Sequence, residues 1–333
     1  MSDPRYDNWF TDTDQLQIPT PGLKSKGGPA YDRAIAIIKA FANRNGGSPF
    51  WKQLNRYAIA KDIEARLKDP DTFNQGQTWL CGIATFARVW AIDCPEQYAQ
   101  LAVDLFEKGQ GTLIGAKKYG GKIIKPSKTL LESPAGDQVS HGDWIVLASI
   151  REAFNQVFDY QADEGLGHIR AWNFPSDVVG EFKATGYSRI ISKAGLSSGG
   201  VGSLDEASTL FDDGWRVILL VHSDIVASRK ASSSGPAPSR ASIPNTPENF
   251  GKIWRIDKGP DTPPPIKGQT FRTSDHWIGL NSSITISRWG AEWMVQPFQV
   301  YSWDGKHTVP GWKAPVPLSI FNDYYFGYVA AKF

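Results

Sequence analysis

Partway along the chain the spacing of its apolar residues changes. Up to Asp213 they recur at the three- and four-residue intervals of helices; from Trp215 onward they fall in short β-branched or alternating runs. The helical spacing covers residues 31–43, 49–67 and 78–92, then Pro95 to Glu107, Asp143 to Val157, Phe174 to Gly186 and Ser203 to Asp213. Strand-like runs are Trp215 to Val221, a long stretch from His276, its return from Trp293 to Trp303, and the earlier Tyr187 to Lys193. Residues 108–138 read as loops with a short hairpin. Helices gathered first and strands second predict an α+β fold whose first part is a helical lobe carrying Cys81. Residues 1–30 read as an irregular arm ahead of a single domain, 31–333. Residues 228–268, rich in Ser and Pro, are too polar for core and read as a surface insertion between two core strands, or else as a linker.

Composition removes several classes of function. A net charge of +2, from 36 basic and 34 acidic residues, gives no electrostatic reason to expect nucleic acid. No run approaches the roughly 20 apolar residues of a membrane-spanning helix. The polar start Met1-Ser2-Asp3-Pro4-Arg5-Tyr6-Asp7 lacks the apolar region of a classical signal peptide, so the expectation is a cytoplasmic protein or one exported by a non-classical route. The 13 Trp suit extra core packing or a substrate groove. With only Cys81 and Cys94 as thiols, separated by a helix of ~20 Å rise, neither a disulfide nor a two-thiol zinc site is expected. No cofactor or metal is implied.

Cys81 stands where the helix 78–92 opens, in Asn74-Gln75-Gly76-Gln77-Thr78-Trp79-Leu80-Cys81-Gly82. The positive end of a helix favours thiolate over thiol. An amide such as Gln75, six residues earlier, can donate to the oxygen that becomes negative when a thiolate attacks a carbonyl. Cys94, before Pro95, reads as a small buried hydrophobe.

Such a thiol needs a base. Of the five histidines, His141 and His168 lie in glycine-flanked loops, His222 ends an apolar strand, and His307 sits in a polar turn. His276 opens a strand in which His276, Ile278, Leu280, Ser282, Ile284 and Ile286 share one face. A hairpin centred on Gly290 sets residue 276 opposite Asp304, whose carboxylate could orient the imidazole. Ser302, Gln299 and Asn281 are further candidates for that third role, and Pro297 weakens the ladder. Trp277 and Trp303 either shield the His–Asp contact from water or pack between the lobes.

The Asn-Gln-Gly string followed after four residues by Cys resembles the nucleophile segment of papain-like cysteine peptidases. Ser302-Trp303-Asp304-Gly305 is similar to that family's Asn-Ser-Trp-Gly turn, with Tyr301 where the family has Asn and Asp304 inserted before the Gly. The resemblance covers residues 74–92 and 204–307 and is greatest to effector or toxin members. It implies a papain-like two-lobed α+β fold, helical over about 31–200 and an antiparallel β-sheet or barrel over about 201–333, and a cysteine-dependent hydrolase with Cys81 as nucleophile, His276 as base, Asp304 as orienting residue and Gln75 in the oxyanion hole. It implies a polypeptide or peptide-like substrate and, for a toxin, an inhibitor or immunity protein as partner. Related sites serve amidases and deamidases that act on peptidoglycan or on protein glutamine. A papain fold retained as a catalytically silent binding module is the non-enzymatic alternative.

Overall fold

The computed structural model describes residues 27–75, 80–135, 139–154, 173–195, 200–226, 274, 276–303, 305–311 and 315–333. Its helices are α1 (Pro29–Ala42), α2 (Arg56–Lys68), α3 (Cys81–Asp93), α4 (Pro95–Lys108), α5 (Lys128–Glu132), α6 (His141–Phe154), α7 (Pro175–Ala184), α8 (Val201–Asp212) and α9 (Leu318–Asn322). The strands are β1 (Gly111–Leu113), β2 (Lys122–Ile124), β3 (Arg189–Ser192), β4 (Arg216–Val221), β5 (His276–Leu280), β6 (Ile286–Trp289), β7 (Glu292–Val295), β8 (Phe298–Ser302), β9 (Gly305–Val309), β10 (Val316–Pro317) and β11 (Tyr325–Lys332). The fold is α+β. Among the described residues all strand pairs are antiparallel, and no sheet closes into a barrel.

Local chemistry sets most helix ends. Pro29 and Pro95 occupy first-turn positions where no backbone N–H is needed, and Gly109 closes α4 in the left-handed conformation. Helix α2 starts seven residues later than its spacing suggested. The Ser48 hydroxyl accepts the N–H groups of Phe50 and Trp51, holding a loop there, and the Asn55 side chain caps the helix by accepting Ala58 N–H.

The central sheet has the order β3-β11-β4-β5-β8-β9. Both faces of its central strands β11, β4 and β5 are buried, as the apolar run Val217–Val221 requires. On one face Ile218, Leu220, Trp277, Tyr301 and Val329 join the core of the helices. On the other, Leu219, Val221, Ile278, Leu280 and Val300 pack with Leu204 and Phe211 of α8 and Met294 and Val295 of the small sheet β10-β7-β6. The division into lobes near residue 200 therefore cuts through the sheet, because β3 lies before it yet pairs with the C-terminal strand β11. Beside β3, Gly327 has a φ of 102°, and a Cβ there would fall 2.0 Å from the Lys193 carbonyl oxygen. Glycine is required at this irregularity of β11.

The expected long strand from His276 is two strands in two sheets. β5 pairs with β8 in the anticipated register, Gly279 opposite Tyr301 and Leu280 opposite Val300. Farther out, β6 and β7 pair Ile286 with Val295, one residue out of step with that ladder. The Ser208 hydroxyl of α8 accepts Ile284 N–H at 2.8 Å and donates to Ile284 C=O at 3.0 Å, holding the chain between the strands, while Pro297 lies in the opposite gap. The insertion 228–268 and residues 1–26 of the arm lie outside the described residues. No helix among the described residues is long and apolar enough to cross a membrane.

Candidate functional site

Helix α3 is buried from Gly82 to Asp93, and Cys81 at its start is its one partly accessible residue. α3 is buried on every side, with polar Thr85, Arg88 and Asp93 inside as well, and its N-terminal thiol is what emerges. Leu80 caps α3 with no side-chain hydrogen bond. The Thr85 hydroxyl, one turn into the helix, donates to Trp277 C=O at 3.3 Å, and Arg88 donates to the Asn281 side chain. The approach is close because Gly279 has no side chain, and a Cβ there would meet Thr85 at 3.2 Å. Helix and strand run in the same direction, so Cys81 and His276 begin α3 and β5 at the same end.

His276 is 4% exposed. Its Nε2 lies 2.6 Å from Ser302 Oγ. The ladder explains this partner: Ser302 falls opposite Ile278, diagonal to His276 and on the same face, where neighbouring side chains touch. Trp303 stacks on the imidazole with centroids 4.8 Å apart and planes at 25°. Trp303 holds a left-handed φ of 49° in the two-residue turn joining β8 to β9, a backbone region costly for a bulky side chain. His307 meets the Trp303 ring edge-on at 5.5 Å. Burial first, and the charge of nearby His307 second, push the His276 pKa down to about 3. The imidazole is neutral at ordinary pH.

The loop before Cys81 is pinned at three successive residues. Tyr301 Oη donates to Phe73 C=O at 3.1 Å, Asn74 N–H donates to Asp143 at 3.1 Å, and Gln75 N–H donates to Trp303 C=O at 3.5 Å. Gln75, 3% exposed, is thereby tied to the residue that covers His276. Asp143 accepts Arg66 as well, and Arg88 pairs with Asp71 in the 3-10 turn just ahead of this loop.

Asp304 lies outside the described residues. Of the further candidates for its role, Ser302 is at the imidazole, whereas Asn281 receives Arg88 and Gln299 donates to Thr308 Oγ1 at 2.9 Å. Trp277 and Trp303 have different places. Alternation directs Trp277 to the helical face, where its Nε1 donates to Asn173 C=O at 2.8 Å, and directs His276 to the opposite face. Trp303 alone of the two covers the imidazole. His141, expected in a solvated loop, is the first residue of α6, and its Nδ1 accepts Asn55 N–H at 3.2 Å. His168 is outside the described residues. Cys94 is buried, and burial raises its thiol pKa well above the ordinary value. Among the described residues no group of three or more His, Cys, Asp or Glu could hold a metal ion.

No protein-family model, curated protein or solved structure matches this chain.

Proposed function

We propose that the protein is a cysteine-dependent hydrolase of papain-like type that acts on a polypeptide. The observation that carries this reading is the shared end of α3 and β5. There the accessible thiol of a buried helix begins beside the strand opened by a buried imidazole held by Ser302 and covered by Trp303. The neutral imidazole suits a general base rather than a standing imidazolium. With its proton on Nε2, donated to Ser302, His276 takes the Cys81 proton at Nδ1 through a water at the shared end of the two elements, because its ring lies on the sheet face away from α3. The thiolate adds to the substrate carbonyl, with Gln75 and the Cys81 N–H holding the oxyanion. His276 returns the proton to the departing amine, leaving a thioester that water hydrolyses.

The test is mass spectrometry of candidate protein and cell-wall substrates incubated with wild type, Cys81→Ala and His276→Ala. Cleavage that disappears in both variants is expected, and a mass change of about one dalton without cleavage would assign deamidation to the same thiol. Activity retained in either variant removes the mechanism. A silent binding module is the second reading, favoured by one observation: His276 is 4% exposed and turned to the sheet face away from α3. That reading expects no turnover from the wild type.

A further inference from the structure

Behind the nucleophile helix lies a polar cluster that the proposed reaction does not use. Asn173, just ahead of α7, lays its side chain against Gly82, the residue after Cys81. A Cβ at Gly82 would fall 2.3 Å from Asn173 Nδ2 and 2.7 Å from its Cβ. The backbone oxygen of Asn173 receives Trp277 Nε1 at 2.8 Å, next to His276 in β5. The Asn173 side chain donates to Glu181 Oε1 of α7 at 3.3 Å. Asn173 is 8% exposed and Glu181 0%, and among the described residues neither Asn173 Oδ1 nor Glu181 Oε2 has a hydrogen-bond partner. Buried atoms left in that state cost stability unless the arrangement has a use.

We propose that Asn173, steadied by Glu181, is a positioning residue that fixes the first turn of α3 against β5 and so sets the place and reactivity of the Cys81 thiol. Asn173 makes contact with both elements that carry the reacting groups, and Glu181 holds its side chain. Gly82 is what allows the contact, since any side chain there would displace the amide. Burial, with the neighbouring Asp177 adding to it and Arg151 opposing it, raises the Glu181 pKa to about 8. Near neutral pH the carboxyl is largely protonated and places little charge behind the thiol. The proposal rests on Cys81 being the nucleophile.

Iodoacetamide labelling of the full chain, followed at Cys81 and Cys94 separately from about pH 5 to about pH 9, tests it. Wild-type Cys81 is expected to react faster than a free model thiol at acid pH, with Cys94 protected. Asn173→Ala should slow Cys81 about tenfold below neutrality, equivalent to about one unit upward in its pKa, with Cys94 still protected. Glu181→Leu, an apolar side chain in a dry site and the variant that folds if Asn173→Ala does not, should slow it likewise. Glu181→Gln should restore the wild-type rate, since it keeps the shape and a hydrogen-bonding end. Unchanged Cys81 labelling in Asn173→Ala and Glu181→Leu overturns the positioning role while leaving the nucleophile intact. So does a Glu181→Gln variant as slow as Glu181→Leu, which would assign the effect to charge. Wild-type Cys81 no faster than a model thiol removes the nucleophile and the pair together.

Discussion

His276 and Ser302 are joined across the central sheet by a 2.6 Å hydrogen bond between a buried imidazole nitrogen and a buried hydroxyl. The hydroxyl orients the ring and, unlike a carboxylate, adds no charge. Ser302→Ala takes away the partner of a buried ring nitrogen and should cost about 1–3 kcal/mol of stability. Turnover should fall much more than stability, because the ring loses its fixed tautomer. Urea denaturation beside steady-state rates checks both, and a variant with full activity would remove Ser302 from the site.

The neutral state of His276 has a sign that can be measured. Its pKa is about 3 in the folded protein against 6.5 for the ordinary group, so the unfolded chain binds the extra proton between those values. The resulting stability is fully present above pH 6.5 and is lost as pH falls from 6.5 towards 3. His276→Gln should flatten that part of the stability–pH curve. An NMR titration of the folded protein in which His276 protonates near the ordinary histidine value would contradict it.

Trp303 combines a left-handed backbone with a ring over His276. Glycine adopts that backbone freely, whereas an L side chain there costs roughly 1–2 kcal/mol. Trp303→Gly should therefore regain in the turn about what it loses in stacking, of order 0.5–1.5 kcal/mol, and melt within a few degrees of wild type. Activity should drop sharply as water reaches the His276–Ser302 bond. A large loss of melting temperature would show that the ring holds the sheet together instead.

The facing of β5 and β8 was readable from strand alternation, and their pairing agrees with a centre at Gly290 although the turn itself pairs Trp289 with Glu292, one residue out of step. The break between β5 and β6 was not, because what holds it is the hydroxyl of Ser208, far away in sequence on α8. The same limit hides Asn173, whose contacts with Gly82, Trp277 and Glu181 are all tertiary. Ser302 was visible as a candidate but ranked below a carboxylate, since pairing arithmetic weighs the residue directly opposite and not its diagonal neighbour. That Cys81 opens a helix, with Gln75 in the loop ahead of it, was legible from local spacing. Their surroundings, a buried helix and a loop pinned to β8, required the fold.

Arg88 extends the argument from the site to its support. It is fully inside the molecule, pairs with Asp71 at 2.6 Å, and reaches Asn281 just past β5, while Lys306 approaches Asp71 at 3.1 Å. Helix α3, the 3-10 turn at Pro70–Thr72 and the end of β5 are thus joined through one guanidinium. Arg88→Met leaves the largely buried Asp71 with Lys306 as its remaining cation and should cost about 3–5 kcal/mol, the usual result of removing one partner of a buried pair. Adding Asp71→Asn should recover much of that loss, because the stranded charge is then gone. A double-mutant cycle read by urea denaturation measures the coupling. If the single and double variants are equally unstable, the guanidinium acts through packing on Tyr301, whose ring lies 5.2 Å from it, rather than through charge.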